Sequence, residues 1–194
     1  MPERTEATAE LSDAGPDALR RIFRRHAAAV AVVTASHRGR PVGLLVTSLA
    51  SVSANPPLIS FNVSQGSSSW PTLAGAEHIG VHVLNADQQE LAGRFARKGA
   101  DRFSAPTSWR LGPHDTPVID GTAAVAVAAV EQRIAAGDHV IVVARLLYVD
   151  AREEATPLLH HDGEYRRVHP ISVHAEQSQP PSRLTVLRSV AEQS

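Results

Sequence analysis

The chain has 194 residues, 19 basic against 20 acidic side chains and no cysteine. Near-zero net charge removes the electrostatic case for a nucleic-acid or acidic-membrane partner. The missing thiols exclude disulfides, thiolate metal sites, iron–sulfur clusters and cysteine nucleophiles, and they fit a reducing compartment. At this length one domain with its own core is expected.

Residues 1–14 are polar and aperiodic, so a disordered tail is expected there. MPERTEATAE has no apolar region of the secretory type, and the longest apolar run, Ala27 to Ala35, is far short of the ~20 residues that span a bilayer. A cytoplasmic protein is the expectation. A helix follows, with Pro16 just inside its start, Leu19, Ile22 and Phe23 at helical spacing, and Arg24, Arg25 and His26 at its negative end.

From Val30 the period changes to that of strands. AVAVVTAS and VGLLVTSLASVS read as two strands joined by a hairpin at HRGRP, and LISFNVS, after Asn55-Pro56-Pro57, as a third. GSSSWPTLAG is a Gly/Ser turn entering a short helix or loop, and HIGVHVLN alternates as a fourth strand. In DQQELAGRFARKG the pair Asp87 and Glu90 has capping-box spacing before a helix that ends in basic residues. A long loop carries DRFSAPTSWRLGPHDTPVIDG; two strong strands, AAVAVAAVEQRIAAG and HVIVVARLLYVDA, come next. PLLHHDGEYRRV closes the fold as a short pair with Asp162-Gly163 at its turn. Beyond Pro170 lies a Gln-, Ser- and Pro-rich tail (171–194) with one apolar patch at Leu184 to Val190. About seven strands with few crossover helices predict a mainly β, antiparallel barrel over residues 15–170, because closure removes sheet edges.

The motif inventory is mostly negative. There is no GxGxxG after a strand, no GxxxxGK[ST], no GxSxG and no HExxH. His160 and His161 would point to opposite faces of a strand, which makes them poor joint metal ligands.

Four polar stretches remain. On a continuous strand, Thr47, Leu49, Ser51 and Ser53 share one face, where small hydroxylic residues either let a planar ligand approach the backbone or mark an edge strand half in solvent. Gly66 to Trp70 offers adjacent N–H groups and the hydroxyls of Ser67, Ser68 and Ser69, either an anion nest or a surface loop. Arg97, Lys98 and Arg102 near a helix end are a phosphate clamp or compensation of the helix dipole. Gly137-Asp138-His139 puts an imidazole at a strand start, hence at a barrel rim, as a substrate contact or a turn residue.

In order, GLLVTSLASVSANPPLISFNVS, SSSWPTLA, GVHVLNADQQELAGRFARKGADRF, WRLGPHDTPVIDG and AAGDHVIVVARL resemble the flavin reductase family with the FMN-binding split barrel, over residues 19–168. The resemblance implies an NAD(P)H:flavin oxidoreductase that passes a hydride from NADH or NADPH to FMN or FAD and feeds reduced flavin to a partner monooxygenase. It also implies a homodimer with flavin near the subunit interface. By motif position, Val46, Thr47, Ser48 and Leu49 would line the isoalloxazine ring, and Ser53 and Asn62 the ribityl chain. Ser67, Ser68 and Ser69 would meet the phosphate with Lys98 or Arg102, and Phe103 would close over the flavin. His139 would sit where nicotinamide stacks, with Tyr165 covering that site. His82 departs from the family's more usual Asn, and His160-His161 from its more usual aromatic. Other readings stay open: a non-catalytic flavin- or haem-binding barrel, a flavoenzyme oxidising a small substrate directly, and a hydrolase built on Ser48 or Ser68 with His139.

Overall fold

A computed structural model describes residues 14–170. The expectations for the tails at 1–13 and 171–194, the apolar patch included, lie outside the described residues.

Twelve strands and three α-helices follow in order. Helix α1 spans Pro16–Arg24, with Pro at its first turn and Arg21 and Arg24 in its last. The strands that follow are β1 (Ala28–Ala29), β2 (Ala31–His37), β3 (Arg40–Val46), β4 (Ala50–Ala54) and β5 (Pro57–Ser64). Helix α2 (Trp70–Gly75), β6 (His78–Val83) and α3 (Gln89–Ala96) come next. The loop anticipated after α3 holds a small hairpin of β7 (Trp109–Leu111) and β8 (Pro117–Ile119). The long pair β9 (Ala124–Ala136) and β10 (His139–Ala151) and the short pair β11 (Leu158–His161) and β12 (Glu164–Arg167) complete the fold.

Turn chemistry behaves as the sequence dictates. Arg38-Gly39 and Asp162-Gly163 both have positive φ at each position, the two-residue turn that matches strand twist.

Seven strands form one sheet in the order β3-β2-β6-β9-β10-β5-β4, all the pairings antiparallel. Its two edge strands, β3 and β4, are separated in sequence only by Thr47, Ser48 and Leu49. Laid flat, seven strands would put those edges about 29 Å apart. A link that short reaches only about 14 Å. The sheet is therefore curled on itself into a split barrel, helped by register shifts in the β9–β10 ladder at Val143/Ala144 and Leu146/Tyr148.

Here the structure corrects the sequence reading: VTSLASVS is not one strand. Val46 still pairs with Ala31 on β2, whereas Ala50 already pairs with Ser60 on β5. Thr47, Leu49, Ser51 and Ser53 thus share no single strand face.

Alternation along β2 serves two cores at once. Ala31, Val33 and Ala35 face the barrel interior with Phe61, Val63, Ile79 and Val142. Val30, just ahead of β2, and Val32 face outward, under Phe95 and Ala92 of α3, Ile119 of β8 and Leu158 of β11. One further expectation changes, and α1 adds an observation of its own. The Asp87/Glu90 capping box does not form: Gln88 is the N-cap residue without a side-chain cap bond, and its amide instead accepts from the Asn85 N–H at 2.9 Å and donates to the Asp120 carbonyl at 3.0 Å. The apolar side chains of α1 are not packed in the barrel; Leu19, Ile22 and Phe23 are each about 60% exposed or more.

Candidate functional site

The break between β3 and β4 is the origin of the site. With no strand on either side of Thr47–Leu49, their backbone N–H and C=O groups have no partner among the described residues. One side-chain bond pins the segment: the Asn62 N–H of β5 donates to the Ser48 hydroxyl at 2.9 Å.

The break faces a cleft of about 750 Å³. Its floor is Leu44, Leu45, Val46, Thr47 and Ser48, continued by Asn62 and Ser64 of β5. Phe95 and Ala96 of α3 close one side, and Leu19, Arg20 and Phe23 of α1 overhang it. Arg102, Ser67 and His139 complete the lining. A second basin of about 620 Å³ shares Arg20, Phe23, Thr47, Ser48 and Asn62 with the first, and runs on past Leu49 to His26, His160 and Asp162.

Arg102 is the cation fixed in the cleft. Its Nη1 donates to the Gly43 carbonyl at 3.0 Å and to the Ser69 hydroxyl at 3.2 Å, and its Nη2 to the Arg97 carbonyl at 3.1 Å. Ser69 in turn donates to the same Gly43 carbonyl at 2.9 Å and is buried. The outer edge of β3, the start of α2 and the loop after α3 are thereby tied at one point. Nε of Arg102 is buried without a partner among the described residues, and partial burial lowers the guanidinium pKa.

The Gly/Ser turn is largely self-satisfied. Gly66 N–H donates to the Ser64 hydroxyl, Ser67 N–H to the Ser64 carbonyl, Ser69 N–H to the Ser67 hydroxyl and Trp70 N–H to the Ser67 carbonyl. Only the Ser68 N–H of this run stays without a partner among the described residues.

At the rim, His139 opens β10 opposite Ser64. Its Nδ1 lies 2.7 Å from an Asp138 carboxylate oxygen, and that hydrogen bond lowers the Asp138 pKa. No hydrogen bond joins His139 to Ser48 or Ser68 among the described residues, so no hydrolase dyad is formed.

The structure brings Val46, Thr47, Ser48, Asn62, Ser67, Arg102 and His139 together around one cleft, with Leu49 in the adjoining basin. Ser68, Ser69 and Phe103 line a smaller cavity of about 300 Å³ on the far side of Arg102. Phe103 is held there edge-on to Phe95 and Trp109, at centroid separations of 5.5 and 5.3 Å. Three residues lie apart: Ser53 is paired with Leu58 within β4–β5, Lys98 is exposed, and Tyr165 packs edge-on against His160 at 6.0 Å. His82 also lies away from the cleft, buried between Val32 and Ile119. Arg20 and Phe23 were missed as lining residues by sequence reasoning, which read this stretch only as a helix.

A flavin fits these features. A volume of this order suits a nucleotide-sized ligand, free main-chain donors and acceptors can read the edge of a planar ring, and a fixed guanidinium suits a phosphate. A curled antiparallel sheet with such a cleft at its seam defines a split-barrel binding protein. The chain belongs to the flavin reductase-like domain family, whose pattern matches residues 23–169. It is 42% identical over 156 residues to an NADH:FMN oxidoreductase of Rhodococcus erythropolis, covering 78% of this chain and 81% of that protein. The structure of the Streptomyces globisporus NADH:FAD oxidoreductase SgcE6, in complex with NAD and FAD fragments, is similar with a TM-score of 0.78 at 30% identity, covering 84% of this chain and 99% of that one. BorF, the flavin reductase component of a bacterial two-component tryptophan halogenase, is similar with a TM-score of 0.73 at 32% identity, covering 81% and 100%.

Proposed function

We infer that this protein is an NAD(P)H:flavin oxidoreductase that reduces FMN or FAD and delivers the reduced flavin to a partner monooxygenase or related oxygen-using enzyme. The observation that carries the reading is the unpaired backbone of Thr47–Leu49, set against a cleft with Arg102 on one wall and His139 at its rim. The nucleotides supply the chemistry, a hydride passing from nicotinamide C4 to flavin N5.

The chain's own residues bind and orient. Val46 to Leu49 offer a narrow floor and main-chain hydrogen bonds for the ring edge, and Asn62 borders the chain that leaves the ring. Arg102, with Ser67 and Ser68, meets the phosphate; Lys98 has no comparable support, being exposed away from the cleft. Ser69 serves by holding Arg102 and Gly43. His139 at the rim contacts the nicotinamide. Leu19 and Phe23 overhang the ring as an apolar roof. The exposed apolar face of α1, together with Ile134 on the outer half of β9, supports a homodimer in which a second copy covers them. Among the described residues no helix is long and apolar enough to cross a membrane, and we place the enzyme in the cytoplasm.

The test is to purify the protein, load it with FMN, FAD or riboflavin, and mix it anaerobically with NADH or NADPH. Rapid bleaching of the yellow flavin band is expected. A loaded protein that stays yellow is a binding module and not a reductase.

A further inference from the structure

The turn between β9 and β10 consists of two residues, Gly137 and Asp138, with glycine at positive φ in the first position. Turn geometry asks nothing of Asp138 beyond a short polar side chain, yet its carboxylate is committed to His139 at 2.7 Å. The backbone of Asp138 is committed as well. Its carbonyl accepts the Gln65 N–H at 3.1 Å, which ties this hairpin to the Ser64–Ser67 turn that lines the same cleft.

An imidazole has two nitrogens, and a carboxylate can only accept. With Nδ1–H given to Asp138, Nε2 is the nitrogen left for the cleft, and it has no partner among the described residues. The other charged side chains lining this cleft are Arg20 and Arg102, neither able to accept a proton from the ring. We propose that Asp138 is a positioning residue, which biases His139 toward the Nδ1–H form so that Nε2 accepts the carboxamide N–H of the reduced nicotinamide. This rests on the reductase reading above. In a free imidazole the proton exchanges between the two nitrogens, and a ring in the other form would present a donor where an acceptor is needed. The pair is exposed, Asp138 to 92% and His139 to 46%, so the 2.7 Å contact shifts the balance toward the Nδ1–H form and orients the ring.

Three measurements on the full-length, flavin-loaded protein decide the matter. Nitrogen NMR of the His139 ring should show the proton mainly on Nδ1 in the wild type and a more even population in Asp138→Ala. KM for NADH should rise about fivefold in Asp138→Ala, the scale of one lost neutral hydrogen bond, with a smaller fall in kcat and an unchanged flavin Kd. Asp138→Asn keeps the turn and an acceptor oxygen, and should recover part of the loss. The double variant Asp138→Ala/His139→Ala should be no worse than His139→Ala, because Asp138 acts only through the ring. An active Asp138→Ala enzyme with wild-type KM and ring protonation, or two costs that add, overturns the role of Asp138. A wild-type protein that oxidises no NADH overturns instead the reductase reading beneath it.

Discussion

The Ser48 hydroxyl accepts the Asn62 N–H at 2.9 Å across the seam of the barrel. Asn62 lies beyond the reach of β4, whose ladder to β5 begins at Ala50 and Ser60. Its N–H would otherwise face solvent, and Ser48 stands in for the missing strand. The bond sets how far the Thr47–Leu49 backbone stands from β5, and so the width of the slot.

Ser48→Ala removes that acceptor while leaving a side chain of nearly the same size. Water can satisfy the exposed Asn62 N–H, so the stability cost should stay below about 1 kcal/mol. Flavin affinity should fall severalfold, read by quenching of flavin fluorescence. An unchanged Kd would mean that the segment holds its place without the pin.

Arg102 makes a second seam contact through Gly43, Ser69 and Arg97. Arg102→Ala should destabilise the fold by about 1–2 kcal/mol in urea, modest because the group is half-exposed and its bonds are screened. Its effect on ligands should be uneven: FMN affinity should drop about tenfold and riboflavin affinity much less, because only FMN carries the phosphate. Arg102→Lys should not restore either quantity, since a point charge cannot hold three acceptors in a planar fork. Equal losses for FMN and riboflavin would assign Arg102 a purely structural role.

Local chemistry made parts of this molecule legible in the sequence. Arg38-Gly39, Gly137-Asp138 and Asp162-Gly163 each sit at the turn that their residue types require. The strand-like runs covered every strand of the seven-stranded sheet but joined β3 and β4 into one. What stayed hidden depended on distant partners. Nothing in VTSLASVS interrupts strand propensity; it breaks because Val46 pairs with β2 and Ala50 with β5. The capping box at Asp87 failed because Gln88 is drawn to Asn85 and Asp120, and Asp120 is 32 residues away. In the site, Leu19 and Phe23 went unread because an apolar helix face looks the same whether it meets a core or overhangs a cleft, and nothing local to Arg20 marks it as a lining residue.

Gly43 is a site where the absence of a side chain is structural. A Cβ there would stand 2.7 Å from Cε1 of Phe95 and 3.3 Å from Cζ of Phe103. Phe95 is 1% exposed and cannot swing away. Gly43→Ala should therefore cost about 1–3 kcal/mol by overpacking and lower the Tm by roughly 5 °C. Because Gly43 also carries the carbonyl that Arg102 holds, FMN binding should weaken with it. Calorimetry checks the first effect and titration the second; a variant as stable as wild type would show that α3 can shift to make room.

His82 gives the fold a dependence on pH that has no bearing on the cleft. The ring is fully buried, with Nδ1–H donating to the Val32 carbonyl at 3.1 Å and Nε2 accepting the Ile119 N–H at 3.1 Å. Protonation would turn that acceptor into a second donor facing a donor. Burial accordingly lowers its pKa from 6.5 to about 4. In the unfolded chain the same ring takes up a proton below about 6.5. Between those two values the unfolded state binds more protons, so stability rises with pH across the window. The contribution is complete above 6.5 and is lost as pH falls toward 4, about 3 kcal/mol over the full span. Urea unfolding at intervals from pH 4.5 to 7.5 should show this slope in the wild type. His82→Asn offers a donor and an acceptor but cannot titrate, so its slope should be shallower by that amount, whatever its absolute stability. Parallel pH profiles for the two proteins would place the acid sensitivity elsewhere in the chain.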